Sequence, residues 1–321
     1  MDRVVLLADQ TSKAWDFAEK IKSYLERTKQ VSLPLANIEI GHFRNGEINM
    51  HVPGNIRRRD VYFIQDSSKN PQEWWVELLL LKDLALRASV ASLNFVLPNM
   101  DYSRQDRKQK SRTPISAKAL ADSLTHPPIL SRIITMDLHA EQIQGFYSIP
   151  VDTLRSFPSF AKYLRENPEG LTPLEKLVIV SPDAGGANRV ESLARRLGSE
   201  YPIAVIDKRR AGPGEIEKMN LAGYVSGRDA LIVDDLIDSG KTLCKAAESL
   251  RENGARNVSC YGTHGIFTEG TSTLTKTFNR VIATNTIDGN FPGVERIDVT
   301  PIFAEAIYRA QMGSSISELY E

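Results

Sequence analysis

The chain has 321 residues, 41% of them hydrophobic and 25% charged, with 40 basic side chains balancing 40 acidic ones. That length is expected to fold as about two domains of roughly 150 residues each, and zero net charge offers no global attraction for nucleic acid or an anionic membrane, so any anion must be held by local clusters. Cys244 and Cys260 are too few for a disulfide framework and lack metal-ligand spacing. MDRVVLLADQ is too short an apolar run for a signal peptide, and no 18-residue apolar stretch follows, so a cytoplasmic location is expected.

In chain order, Val4 to Ala8 reads as a strand, and Thr11 or Ser12 can cap a helix burying Trp15, Ala18, Ile21 and Leu25. Ile38 to Ile40 and Ile48 to Val52 alternate across Asn45-Gly46, which predicts a strand–turn–strand with Phe43, Asn45 and Glu47 in the turn. Asp60 to Ile64 is a further strand. Asn70-Pro71 starts a helix with Trp74, Leu78, Leu81 and Ala85 on one face. Leu93 to Pro98 leads into NMDYSRQDRKQKSRTP, where Arg104, Arg107, Lys108, Lys110 and Arg112 outnumber the single carboxylate Asp106. Such a run is often a solvated face, but at the end of an apolar strand it suits a polyphosphate. Ile133 to Met136 is a strand ending in Asp137-Leu138-His139. In an extended chain Asp137 and His139 project to one side. The pair either binds a cation or leaves His139 bonded to its neighbour; it lacks the ligand count of a zinc site, and magnesium carried by a substrate fits better.

After Val151 the pattern restarts. Leu177 to Val180 is a strand followed by SPDAGGA, a close-approach loop ahead of a helix from Arg189 to Leu197. Ile203 to Ile206 runs into Asp207-Lys208-Arg209-Arg210-Ala211-Gly212-Pro213-Gly214, read as a mobile cationic lid. The stretch ALIVDDLIDSGKT, Ala230 to Thr242, organises the rest. Its apolar run predicts a buried parallel strand ending in Asp234 and Asp235. Asp238, Ser239, Gly240, Lys241 and Thr242 form a small polar turn whose N–H groups, with the helix that follows, can hold an anion. That helix carries Leu243, Ala246, Ala247 and Leu250 on one side and stops at Gly254. A nucleotide P-loop needs glycine where Asp235 stands, so that reading fails. Paired carboxylates ahead of a phosphate turn suit the hydroxyls of a ribose 5-phosphate. Strands at Val258 to Tyr261 and Val281 to Ala283 and a helix around Pro301 to Ala310 complete the chain. RDVYFIQD at 59–66 echoes RDALIVDD at 228–235, which points to a duplication.

The ALIVDDLIDSGKT stretch resembles the phosphoribosyltransferase signature. FRNGE, YSRQDRKQKSR, PISAKALAD, ITMDLHAEQIQGF, SPDAGGANR, DKRR and DDLIDSGKT, in that order, resemble the ribose-phosphate diphosphokinase family across nearly the whole chain. The resemblance implies an α/β fold of two duplicated phosphoribosyltransferase-type domains, each a mainly parallel sheet flanked by helices. Residues 1–150 would form the ATP side and 151–321 the ribose 5-phosphate side, with the last helix a candidate to pack back on the first domain. It implies transfer of the β,γ-diphosphoryl group of Mg-ATP to the anomeric hydroxyl of ribose 5-phosphate. ATP contacts would fall on Phe43, Asn45, Glu47, Arg104 and Gln105, metal ligands for Mg2+ on His139 and Asp183, and catalytic cations on Lys208 and Arg210. Ribose 5-phosphate would be held by Asp234, Asp235, Asp238, Ser239, Gly240, Lys241 and Thr242, and homodimers would assemble to a hexamer. Asn45, Gln109 and the lysine of DSGKT depart from the usual pattern, as does Asn55 beside Arg57 and Arg112, the cations matching a regulatory phosphate site. The alternatives are a non-catalytic synthetase-associated subunit, or a phosphoribosyltransferase that consumes the diphosphate.

Overall fold

The computed structural model describes residues 1–108, 110–168, 176–198, 201–209 and 218–320. The chain divides into two compact units, Met1–Arg155 with Thr286–Asp288 and Val299–Glu321, and Ser156–Asn285 with Gly289–Asp298.

The first unit runs β1 (Val4–Ala8), α1 (Lys13–Lys29), β2 (Leu35–Asn37), β3 (Glu39–His42), β4 (Ile48–His51), β5 (Asp60–Ile64), α2 (Pro71–Arg87), β6 (Ser92–Leu97), α3 (Ser116–Thr125), β7 (Leu130–Met136) and β8 (Val151–Leu154). Among the described residues its main sheet has the order β2-β1-β5-β6-β7-β8, every neighbouring pair parallel. Crossover helices cover a parallel sheet on both faces, which is why β1 reads VVLLA and is buried at every position. Val5, Leu7, Phe63 and Phe95 pack with Trp74, Leu78 and Leu81 of α2 and Leu120 and Leu124 of α3. Asn70 caps α2 by accepting from Gln72 N, and Pro71 occupies the first turn, where its missing N–H costs nothing. β3 and β4 form a separate antiparallel hairpin, with Glu39 opposite His51 and His42 opposite Ile48.

The second unit runs α4 (Phe157–Glu166), β9 (Leu177–Ser181), α5 (Ala187–Gly198), β10 (Ile203–Arg209), β11 (Lys218–Ala222), β12 (Asp229–Ile237), α6 (Lys241–Glu252), β13 (Val258–Gly265), α7 (Ser272–Thr277), β14 (Val281–Thr284) and β15 (Val294–Ile297). Its sheet order is β11-β10-β9-β12-β13-β14-β15, parallel except for β11. Without β11 the two orders superpose strand for strand, β5 corresponding to β12. Even a diagonal ion pair recurs. Arg132 pairs with Asp152, which sits opposite Ile134, and Arg280 pairs with Glu295, which sits opposite Ile282. The last helix, α8 (Thr300–Met312), belongs to the first unit and lies against α1. There Phe303 meets Phe17 edge-on at 5.4 Å and Glu305 takes Lys29 Nζ at 2.8 Å.

Several expectations need correction. Trp15 is half-buried, and Ala14 and Phe17 join the α1 stripe in its place. β12 continues through Asp234 and Asp235 to Ile237, because pairing with β13 persists to Ile237 opposite Gly265. β10 likewise continues through Asp207 and Lys208 to Arg209, laddered on β11 with Lys208 opposite Met219. The start of the expected lid is therefore strand, and its remainder, Arg210 to Gly214, lies outside the described residues. The backbone at Asp137 is not extended, as the alternation of Asp137 with His139 requires: Asp137 has a left-handed φ of 37° and is buried, and His139 is exposed. The elements β2, β8, β11, β15, α3, α4 and α7 add to those expected.

Candidate active site

In the second unit two strand ends and two helix starts lie side by side. β9 ends at Ser181, whose hydroxyl donates to Asp183 O at 2.6 Å, while Asp183 Oδ1 accepts from Gly186 N at 3.0 Å. A side chain at 186 would put its Cβ 2.6 Å from Ser181 Oγ, so this close turn requires glycine. Beside it, at the end of β12, stand Asp234 and Asp235. Asp235 N donates to Asp234 Oδ1 at 2.9 Å, and Arg189 of α5 reaches Asp235 at 3.1 Å and Asp234 at 3.6 Å. The Asp234 side chain keeps 23% of its surface open, yet most of it is enclosed. Burial, followed by the neighbouring Asp235 charge, pushes its carboxyl well above the ordinary range; Arg189 opposes the shift and Asp183 adds to it. Asp234 and Asp235 thus stand as adjacent carboxylates at the end of β12, sharing Arg189.

Asp238 to Thr242 complete this edge. Gly240 precedes α6 with φ 75° and offers no side chain to cap it. A Cβ there would come within 2.6 Å of Leu274, so both conformation and space demand glycine. At the start of α6 Lys241 N reaches Ser239 Oγ at a long 3.5 Å, and the positive end of the helix dipole lies at this turn. Lys241 leans to the adjoining loop, its Nζ 2.5 Å from Glu269 Oε1, and Thr242 is exposed. Lys208 lies on β10, one strand beyond β9. Arg210 lies outside the described residues.

The first unit carries the remaining candidates. Phe43, 56% exposed, sits at the tip of the β3–β4 hairpin, where Gly46 N donates to its carbonyl at 2.9 Å. Asn45 Oδ1 accepts from Glu47 N at 3.2 Å, and both residues are exposed. Arg104 is exposed in the loop after β6, and Gln105 Oε1 accepts from Ser116 Oγ at the start of α3. Asp106 is tied to Gln142 Nε2 at 2.8 Å, and Tyr102 meets Trp75 at 4.7 Å. Asp101 opens this loop; burial lifts its carboxyl to about 6 while Asn99 Nδ2 donates to it at 2.9 Å. Gln109 is outside the described residues. Among the described residues no three His, Cys, Asp or Glu side chains group as a metal cage, and no helix is long and apolar enough to cross a membrane.

Sequence reasoning overlooked Arg189, Asp101, Thr268 and Glu269. The only signal for Arg189 was its place at the end of SPDAGGANR; nothing local pointed to the others.

The N-terminal domain of ribose phosphate pyrophosphokinase matches residues 6–127, and the phosphoribosyl synthetase-associated domain matches residues 210–321. A ribose-phosphate pyrophosphokinase of Cereibacter sphaeroides is 39% identical over 311 residues, covering 95% of this chain and 91% of the relative. Ribose-phosphate pyrophosphokinase 4 of Saccharomyces cerevisiae gives the same identity and the same coverage of both chains. The crystal structure of phosphoribosylpyrophosphate synthetase from Mycobacterium smegmatis is similar with a TM-score of 0.84 and 29% identity, over 97% of this chain and 100% of the other. With its motifs, its duplicated sheets and identity that runs almost end to end, the chain belongs to the ribose-phosphate pyrophosphokinase family.

Proposed function

We propose that the protein is a ribose-phosphate diphosphokinase that converts Mg-ATP and ribose 5-phosphate to 5-phosphoribosyl 1-diphosphate and AMP. The observation that carries this is the carboxylate pair Asp234–Asp235 ahead of the glycine turn into α6, in a chain 39% identical over 95% of its length to a ribose-phosphate pyrophosphokinase. In the reaction the anomeric oxygen forms a bond to the β-phosphorus, the bond from that phosphorus to the α–β bridging oxygen breaks, AMP leaves with that oxygen, and the hydroxyl proton is lost to solvent. Charge grows on transferred and leaving oxygens, so positioning and electrostatic stabilisation dominate.

Asp234 and Asp235 accept hydrogen bonds from the vicinal ribose hydroxyls, and backbone N–H groups from Asp238 through Thr242 hold the 5-phosphate. Phe43 stacks on adenine, Asn45 and Glu47 bond its edge, and Arg104 and Gln105 meet the phosphates. Lys208 and Arg210 stabilise the charge that develops on the transferred group. His139 and Asp183 are the candidate Mg2+ ligands. Asp183 has one carboxylate oxygen beyond the one that accepts from Gly186, a donor set that fits an ion brought in mostly by polyphosphate oxygens. Bound Mg2+ would neutralise polyphosphate charge.

The alternative reading is a non-catalytic synthetase-associated subunit. The deciding assay measures AMP with Mg-ATP and ribose 5-phosphate, omitting the sugar or the metal in turn. AMP formed only with all three supports the synthetase; none from folded protein refutes it. Adding a free base with phosphoribosyl diphosphate tests the transferase alternative. For the assembly, the proposal is a homodimer building to a hexamer. Exposed Val76, Leu79, Leu80 and Leu86 on α2, beside an ≈ 860 Å³ groove that includes Ile48, Val52, Arg57 and Leu84, support it. Sedimentation as a monomer at micromolar concentration would overturn it.

A further inference from the structure

The turn from Asp238 to Thr242 is braced by a second segment that follows β13. Ile266 N and Phe267 N both donate to Ile237 O, at 2.9 and 3.2 Å. Thr268 Oγ1 then donates to Asp238 Oδ1 at 2.7 Å, Glu269 takes Lys241 Nζ at 2.5 Å, and Leu274 lies where a Cβ on Gly240 would be. Between Ile237 and Lys241 the turn is thus held at its carbonyl, at a carboxylate, against its glycine and at its cation. The Lys241–Glu269 pair is exposed, 71% and 52% by side chain, so its contribution to global stability is small. Its effect is local. It also matters electrostatically, because an unpaired Glu269 carboxylate beside a phosphate turn would repel a dianion.

We propose that Thr268 and Glu269 are positioning residues for the sugar-phosphate turn, and that Lys241 is a strut to Glu269 rather than a phosphate ligand. The proposal rests on reading Asp238–Thr242 as that turn. A brace of this kind orders the turn's N–H groups before the ligand arrives, so part of the ordering cost is met in the free protein.

The first readout needs no ligand: deuterium exchange of the amides from Ile237 to Thr242 in the free protein. Thr268→Val and Glu269→Gln should each speed it by about 3- to 10-fold, and Thr268→Ser should not. The second is ribose 5-phosphate affinity by calorimetry, with KM and kcat in the AMP assay. Both weakening variants should raise Kd and KM for the sugar by a similar factor, with kcat within about twofold. The charge-swapped double variant, Lys241→Glu with Glu269→Lys, should return exchange and affinity towards wild type. Unchanged exchange in Thr268→Val and Glu269→Gln would overturn the brace. So would a swapped variant that loses ribose 5-phosphate while Glu269→Gln alone binds it more tightly, the signature of Lys241 as a phosphate ligand. If wild-type protein fails to bind ribose 5-phosphate, the functional reading falls, and the exchange data still decide the brace.

Discussion

Replacing Asp101 by Asn tests the electrostatics of the loop that follows β6. Burial raises the Asp101 carboxyl from 3.8 to about 6. Its folded pKa therefore lies above the unfolded value. The stability it contributes is fully present below about pH 4 and is lost as pH rises through about 6. At about 1.4 kcal/mol per unit, a shift of roughly two units leaves a cost of about 3 kcal/mol at pH 7.5 and about 1.5 kcal/mol at pH 5. Asn cannot ionise, and its carbonyl oxygen still accepts from Asn99 Nδ2 as Asp101 does now. The variant should unfold at a higher temperature than wild type at pH 7.5, by roughly 6–12 °C if the first unit melts as one body, with about half that gap at pH 5. Paired thermal melts of both proteins at the two pH values measure it. A gap that does not change with pH, or a variant less stable at pH 7.5, would refute the argument.

Gly240→Ala should cost about 2–3 kcal/mol through its positive φ and the Leu274 contact, and weaken ribose 5-phosphate at least tenfold by calorimetry. Leu274→Ala in the same chain should recover part of the stability but not the affinity. Asp234→Asn removes a carboxyl whose ionisation burial and Asp235 oppose, so the free protein should gain about 1 kcal/mol near neutral pH while sugar binding collapses; melts and titrations read the two separately. Arg189→Met takes away the cation shared by Asp234 and Asp235 and should cost about 3 kcal/mol in chemical denaturation, less at low pH where the carboxyls are protonated. Phe303→Ala strips the aromatic contact of α8 with Phe17 and should destabilise the first unit by about 3–5 kcal/mol, with AMP formation intact well below the new melting point.

Where one physical pattern dominated, the fold was legible. The stripe of Leu243, Ala246, Ala247 and Leu250 along α6 and the apolar runs of β1, β5 and β9 all sit as their periodicities require. The echo between 59–66 and 228–235 corresponds to strands in matching places of two sheets. Less legible were features decided by distant partners. β8 and β15 are short, mostly half-buried edge strands with little apolar signal, and the reach of β10 to Arg209 depends on its ladder with β11. Asp234 and Asp235 break the hydrophobic run, so pairing with β13 had to reveal that β12 continues. A single positive φ at Asp137 undid an alternation argument for His139. Around the site, residue types were readable, but contacts were not. Arg189 reaches Asp235 from some 45 residues earlier in the chain, and Glu269 reaches Lys241 from 28 residues later.

The two copies of the strand–helix unit treat equivalent helix starts in opposite ways. α2 closes its own first turn with the Asn70 side chain and Pro71, whereas α6 begins at a glycine, with only a long 3.5 Å bond from Lys241 N to Ser239 Oγ at its start. If the turn into α6 is the sugar-phosphate turn proposed above, calorimetry should give one sugar phosphate per chain, although the architecture is double. Ligand binding there would stabilise the second unit. Ribose 5-phosphate at about a hundred times its Kd should add roughly 2.7 kcal/mol to that unit, read as a rise in its melting temperature.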